Sequence, residues 1–243
     1  MNSGRNRNGV AVQATAHARI HAALKQSLMD GDYKPGERIV VRHVAEQFST
    51  SPMPVREALR QLVSDGALFD HPNRGVIVPE ATVEIVSDLV RVRCVIEGAA
   101  TEWAASTVSQ GELADLVEIN AQMISCVETG STGDYLALNR QFHFSVYRAA
   151  RSAAILPVIE RLWLRVGPWL NIMRDGTFLG LGLDHHGELL EALHSGSATA
   201  ARRAMVADIT DAADIIVRAV SRPAWDDPAA GRSRRPAIAR KSE

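Results

Sequence analysis

The sequence predicts a mainly α-helical protein in two parts: three short helices closed by a β-hairpin, then an all-helical bundle of about six helices. Three observations carry that expectation. Hydrophobic residues make up 46% of the 243 residues and aromatics only 5%, with alanine and leucine recurring throughout, a composition that favours helix. Apolar residues return at helical spacing along nearly the whole chain. The period changes once, over residues 67–80, where apolar runs flank the turn-forming HPNRG.

The elements follow in order. The segment TAHARIHAALKQSLMDG places Ile20, Ala23, Leu24 and Leu28 at helical spacing, Gly31 stops it, and YKPGERI is a turn. VVRHVAEQF predicts a short second helix whose exposed face carries Arg42 and Glu46. PVREALRQLVSDG predicts the third, with Val55, Leu59, Leu62 and Val63 on one face and Gly66 closing it. ALFDHPNRGVIVPE follows as the hairpin, ended by Pro79. The remaining helices are predicted at 81–106, 110–129, 132–150, 152–174, 182–195 and 197–221, with breaks at Gly111, Gly130–Gly133, Ser152, Gly176–Gly182 and Ser195–Gly196. The domain organisation expected is 1–12 disordered, 13–80 the three-helix head, 81–222 the helical bundle, and 223–243 a tail rich in Pro, Gly and charge without fixed structure.

Charge is unevenly spread. The net charge is −1, but residues 1–80 sum to +2, residues 81–222 to −5 and residues 223–243 to +2. A mildly basic front and an acidic middle suit two domains with different partners. No apolar run approaches the ~18 residues that cross a bilayer, and MNSGRNRNGV lacks the apolar centre of a signal peptide. Cys94 and Cys126 are far apart, without metal-type spacing, and read as reduced thiols of a cytoplasmic protein.

Three helices and a hairpin are the order of a winged helix-turn-helix, whose third helix enters the DNA major groove N-terminal end first. That role explains STSPMPVREAL. Ser51 is placed to N-cap the third helix, Pro52 suits the first helical position, and Pro54 lies within the first turn, where a missing donor costs little. Arg56 points away from the Leu59 and Leu62 face. The other reading of this stretch is an ordinary helix with a solvated arginine.

YKPGERI…VAEQFSTSPMPVREALRQLVSDGAL…HPNRGVIV resembles the DNA-binding domain of the GntR family of bacterial transcription regulators over residues 15–80. The helical remainder resembles the effector domain of the FadR branch, the type called FCD, so the two resemblances together cover about residues 15–221. They imply a homodimer that binds a double-stranded DNA operator and responds to a small anionic metabolite, with no membrane partner. The DNA contacts they imply fall on Arg42, Arg56, Arg74 and Gly75, with Ser51 and Met53 at the front of the third helix. Arginine forks span phosphate or guanine, and glycine lets backbone approach a groove wall. Many relatives have arginine and threonine where this chain has Pro52 and Met53, so its operator preference is expected to differ.

A second constellation lies in the helical part. NRQFHFSVYRAA sets Asn139 and His143 four apart on one helix face, and DHHGELLEALH supplies His186, with Asp208 on the last helix. Isolated histidines on amphipathic helices are more often structural or solvated than ligands. Many FCD domains bind a divalent metal through an Asp, a His four residues on, a second His and a third His on the final helix. By position these fall on Asn139, His143, His186 and Asp208, two matching and two changed. Two imidazoles, one carboxylate and one amide oxygen suit Zn²⁺, Ni²⁺ or Mn²⁺. His185 is the competing neighbour, and the register favours His186. Arg93, in LVRVRCVIEGAA, has two readings: an i,i+4 pair with Glu97, or, by the resemblance, a clamp on the carboxylate of an effector.

The favoured function is a ligand-released repressor, not an enzyme. The alternatives are a metal-dependent hydrolase-like enzyme and a DNA-binding protein with a purely structural helical domain. GxSxG, HExxH and glycine-rich phosphate loops are absent from the sequence. The basic GRSRRPAIARK of the tail reads as a solvated end.

Overall fold

Thr15 opens the first helix by accepting a hydrogen bond from the Ala18 amide, the capping role of a short hydroxyl side chain. The structure is a computed structural model that describes residues 15–176 and 179–221. The two ends expected to be disordered, 1–12 and 223–243, lie outside the described residues. Helix α1 (Ala16–Met29) buries Ile20, Leu24 and Leu28, one residue per turn of a single face. Helices α2 (Val41–Gln47) and α3 (Pro52–Ser64) complete the head, and α3 contributes Val55, Ala58, Leu59 and Leu62 to its core.

Strands β1 (Phe69–His71) and β2 (Gly75–Ile77) form the antiparallel hairpin, with Phe69 opposite Ile77 and His71 opposite Gly75. A third segment joins it. The Ile39 amide donates to the Val76 carbonyl at 2.9 Å, the Val78 amide donates to the Glu37 carbonyl at 2.9 Å, and Arg38 bridges Ile77. Residues 33–39 were expected to be only a turn. The exit of that turn instead pairs with β2, giving partners to ladder groups that an isolated hairpin leaves open. The head is thus a winged helix-turn-helix.

The bundle consists of α4 (Val83–Ala104), α5 (Gln110–Thr129), α6 (Thr132–Ala149), α7 (Ile155–Leu170), α8 (Leu183–His194) and α9 (Ala198–Val220). Ser109 and Glu112 close a capping box at the start of α5, and Gly130 ends that helix in the left-handed region. Helix α4 lies along α9, α5 against α6, and α8 against α9. Leu116, Met123, Phe142, Tyr147, Ile159 and Trp163 are buried between them. A continuous helix over 152–174 is not what forms. Helix α7 stops at Leu170 and tightens into a 3₁₀ turn over Asn171–Asp175. Pro168 is the cause, since it cannot donate to the Leu164 carbonyl and its ring crowds that oxygen. No described helix is long and apolar enough to cross a membrane.

Head and bundle meet where α1 crosses α7. Gly167 lies against the Leu28 carbonyl, so close that a side chain there has no room. Polar groups frame this contact. Asn171 Nδ2 donates to the Gly31 carbonyl at 2.7 Å, and Arg174 Nε donates to the same oxygen at 2.9 Å. Arg174 also pairs with Asp32, Arg140 pairs with Asp30, and Lys25 Nζ reaches Glu160 at 2.5 Å.

Candidate functional site

The six residues expected to face DNA lie on the head, at the α2 surface, the start of α3 and the turn of the wing. Arg42 is 81% exposed and stands 3.3 Å from Glu46, an i,i+4 pair in open solvent that contributes little. Arg56 is exposed beside buried Val55, and Met53 is 60% exposed. Arg74 is exposed in the wing turn, with Nη2 3.4 Å from the Gly36 carbonyl. Gly75 has φ +70° and open space where a Cβ would point, so the backbone there is bare.

Ser51 departs from expectation. It occupies the N-cap position of α3, but its side chain makes no capping hydrogen bond. A capping hydroxyl accepts from the second or third amide of the helix. The third position here is Pro54, which has no N–H, and the first is Pro52. Pro54 removes one of the two usual donors and the other, the Met53 amide, is not engaged, so the Ser51 hydroxyl caps nothing and Met53 carries the one N–H among the first three helical residues.

In the bundle, three helices bring His143, His186 and Asp208 together. One ligand-type atom from each lies within 4.8 Å of the others. His143 Nε2 is 3.3 Å from His186 Nε2 and 3.2 Å from Asp208 Oδ2, and His186 Nε2 is 3.7 Å from Asp208 Oδ1. His185 points elsewhere, 2.8 Å from Asp211. Phe142 stacks on the His186 ring at 4.3 Å and fixes its plane. Gly182 gives the cluster room. Its φ is +86°, and a Cβ there would stand 2.4 Å from Asp208 Oδ1.

Burial pushes His186 down to about 4, against the opposing pull of the Asp208 charge. Its imidazole is therefore neutral near pH 7, as a ligand must be. Burial would raise Asp208, but His143, His186 and Arg93 together outweigh it and hold the carboxyl at about 2. Two imidazole nitrogens and a carboxylate oxygen converging from three helices are donor types that a divalent ion takes. Tetrahedral donors about 2.0–2.1 Å from Zn²⁺ stand roughly 3.3 Å apart, close to the separations observed. The donor set therefore fits a divalent ion.

Asn139 and Asp208 line one pocket, with Tyr135, Leu170, Met173 and Leu181 among the other walls. Its free volume is about 40 Å³. Arg93 is not among its lining residues. It is buried, and its guanidinium forks onto Glu97 through Nε at 2.7 Å and Nη2 at 3.2 Å. Thus the i,i+4 pairing forms, and the fork is committed to a protein carboxylate.

Sequence reasoning overlooked the groups behind the cluster. Glu97 Oε2 also accepts from the Tyr147 hydroxyl at 2.5 Å and from Trp163 Nε1 at 3.1 Å. Tyr147 in turn lies 3.2 Å from His143 Nδ1. The i,i+4 spacing of His143 and Tyr147 was a visible signal.

Comparison with known proteins places these two regions in described families. Residues 16–78 match the bacterial regulatory proteins of the gntR family, and residues 88–211 match the FCD domain. The HTH-type transcriptional regulator McbR of Escherichia coli (strain K12) is 32% identical over 157 residues, covering 65% of this chain and 71% of that protein. A probable D-xylose utilization operon transcriptional repressor of Paenarthrobacter nicotinovorans is 25% identical over 196 residues, 79% of this chain and 85% of its own length. The solved structure of E. coli McbR/YncC superposes with a TM-score of 0.80 at 27% identity, covering 85% of this chain and 99% of that one.

Proposed function

The chain belongs to the gntR family of bacterial regulatory proteins and carries an FCD domain, and on that premise we propose that it is a repressor released from its operator by a small organic acid. The family's members are DNA-binding regulators, which sets aside the hydrolase alternative. Within the family we assign it to the FadR branch, in keeping with its all-helical second domain.

One observation carries the ligand-responsive reading. The pocket of Asn139 and Asp208 is walled by Leu170 and Met173, and the residues next to these, Asn171 and Arg174, hold the head at Gly31. An occupant of the pocket therefore bears on the same short turn that grips the head. A ligand shifts the arrangement of two heads only by its differential affinity for the two arrangements. This wall is where such a difference can arise.

His143, His186 and Asp208 would hold a divalent ion, with the Asn139 amide oxygen as fourth donor. Bound there, Zn²⁺, Ni²⁺ or Mn²⁺ supplies a positive centre for a carboxylate. Neutral His186 and ionised Asp208 are in the protonation states that this requires. The Arg93 charge, which already acts on Asp208, favours an anion nearby while its fork stays on Glu97.

On the head, Arg56 and Met53 would read the major groove, and Arg42, Ser51, Arg74 and Gly75 would settle on the backbone and groove edge. A cytoplasmic homodimer would present two heads to a pseudo-palindrome. The exposed Ile85, Val92, Val95 and Trp103 of α4 offer apolar surface for pairing.

Footprinting on DNA flanking the protein's own gene, across a salt series, tests the reading. A short protected palindrome that fades steeply with salt and clears with an organic acid is the expected outcome. Protection that no acid relieves, with or without Zn²⁺, would favour a structural helical domain. Absence of protection on selected random DNA would overturn the operator reading.

A further inference from the structure

The buried chain from Arg93 to His143 has one self-consistent pattern of hydrogen bonds. Arg93 Nε and Nη2 and Trp163 Nε1 are donors only, and all three point at Glu97. Glu97 is fully buried. A proton on it would have to fit among those donors, so it accepts from every side. The Tyr147 hydroxyl, 2.5 Å from Glu97 Oε2, must then spend its single proton on that carboxylate. Its other neighbour on that score, Met205 Sδ at 3.4 Å, is a weak acceptor that cannot compete with a charged oxygen. With its proton committed, the Tyr147 oxygen can only accept from His143 Nδ1, 3.2 Å away. The opposite tautomer would set the Nδ1 lone pair against the lone pairs of that oxygen; its one compensation is Asp208 Oδ2, 3.2 Å from Nε2, and a metal ion between the two would take that role over.

We propose that Glu97 and Tyr147 are positioning residues that keep a proton on His143 Nδ1, so that Nε2 presents its lone pair to His186 and Asp208 as a metal ligand. The assignment rests on the metal-site reading above and adds how the site is built. It also gives Arg93 a place: the arginine holds Glu97 as the acceptor from which the chain starts. His186 lacks comparable support. Its Nδ1 is buried without a hydrogen-bond partner among the described residues, and behind the ring stands the stacked Phe142 in place of a polar chain. The site is therefore asymmetric, with His143 the pinned imidazole. Partners behind a metal-bound histidine fix its tautomer and orientation, and their loss costs roughly 10–100-fold in metal affinity.

The test uses the full-length protein labelled with ¹⁵N-histidine, with the Tyr147→Phe variant beside wild type. Long-range ¹H–¹⁵N spectra of the metal-free proteins, at mildly alkaline pH, report which ring nitrogen of His143 carries the proton. Zn²⁺ affinity is measured by competition with a chelating dye, and circular dichroism confirms that the variant is folded. The expected result has two parts. His143 Nδ1 is protonated in wild type, whereas in the variant the proton moves at least in part to Nε2, where Asp208 accepts it. The variant also binds Zn²⁺ roughly 10–100-fold more weakly, because that proton must be displaced.

A wild-type protein with unprotonated Nδ1 overturns the proposal, and this readout needs no variant to fold. A variant that changes tautomer without losing affinity, or loses affinity with the tautomer unchanged, overturns the link between the two. Wild type that binds no Zn²⁺ would defeat the metal reading, and the metal-free spectrum would still decide the tautomer.

Discussion

Replacing Gly167 by alanine puts a methyl group 2.2 Å from the Leu28 carbonyl oxygen and 2.6 Å from the Met29 Cα. Ordinary contact begins near 3.4 Å, so α1 and α7 must part by about 1.2 Å, the difference between that distance and the closer contact. Both obstructing atoms are backbone, and no rotamer change relieves them. Overpacking costs roughly 1–3 kcal/mol and occasionally more, and a rigid obstruction belongs at the upper end. A separation of that size also stretches the Asn171 and Arg174 bonds to the Gly31 carbonyl, which start at 2.7 and 2.9 Å. A loss of about 3 kcal/mol lowers Tm by roughly 6–12 °C for a chain of this size. Thermal denaturation followed by circular dichroism reads it. Should the head undock at smaller global cost, amide exchange would rise at Asp30–Asp32. A variant with wild-type Tm and wild-type exchange in that turn would refute the close crossing of α1 and α7.

Three further outcomes are expected. Arg56→Ala should weaken specific operator binding by about 1–3 kcal/mol, the worth of one bidentate base contact, and a gel shift at unchanged affinity would remove Arg56 from the contacts. Zn²⁺ at 100 times its Kd should stabilise the protein by about 2.7 kcal/mol, and His143→Ala should abolish that gain in a melting assay; an unchanged melt of the wild type would count against the site. Glu112 is held at about 2, against an ordinary 4.5, by the Ser109 amide first and then by the Ser109 hydroxyl and Arg151. A depressed carboxyl contributes stability that is present above its unfolded pKa and lost as pH falls through the folded one. Glu112→Gln should therefore flatten the acid limb of stability between about pH 4.5 and pH 2, as urea titrations at stepped pH would show.

The elements with a strong local signal were legible in the sequence. Ile20, Leu24 and Leu28 mark α1, and HPNRG marks the hairpin because its turn chemistry is local. The pairing of Glu37 and Ile39 with β2 was not legible, since a partner some 40 residues away leaves no mark on a turn. Pro168 hid in an apolar run whose helical period continued past it. At Ser51 the sequence already showed that one of the two usual capping donors was replaced by Pro54, but not that the remaining Met53 amide would go unused. At the site, the i,i+4 pairs of Arg93 with Glu97 and of His143 with Tyr147 are local facts. That Glu97 also receives Tyr147 and Trp163 depends on how α4, α6 and α7 pack, which helical periodicity does not determine.

The two prolines at the front of α3 also bear on kinetics. A reading helix that had to fold on the duplex would pay its ordering entropy at each encounter, slowing capture and favouring early escape. Pro52 and Pro54 hold their own φ angles near the helical value before any duplex is met, so the proposed reading edge arrives already shaped. The association rate should then follow charge and ionic strength alone, and sliding along non-operator DNA carries no refolding step at each base pair.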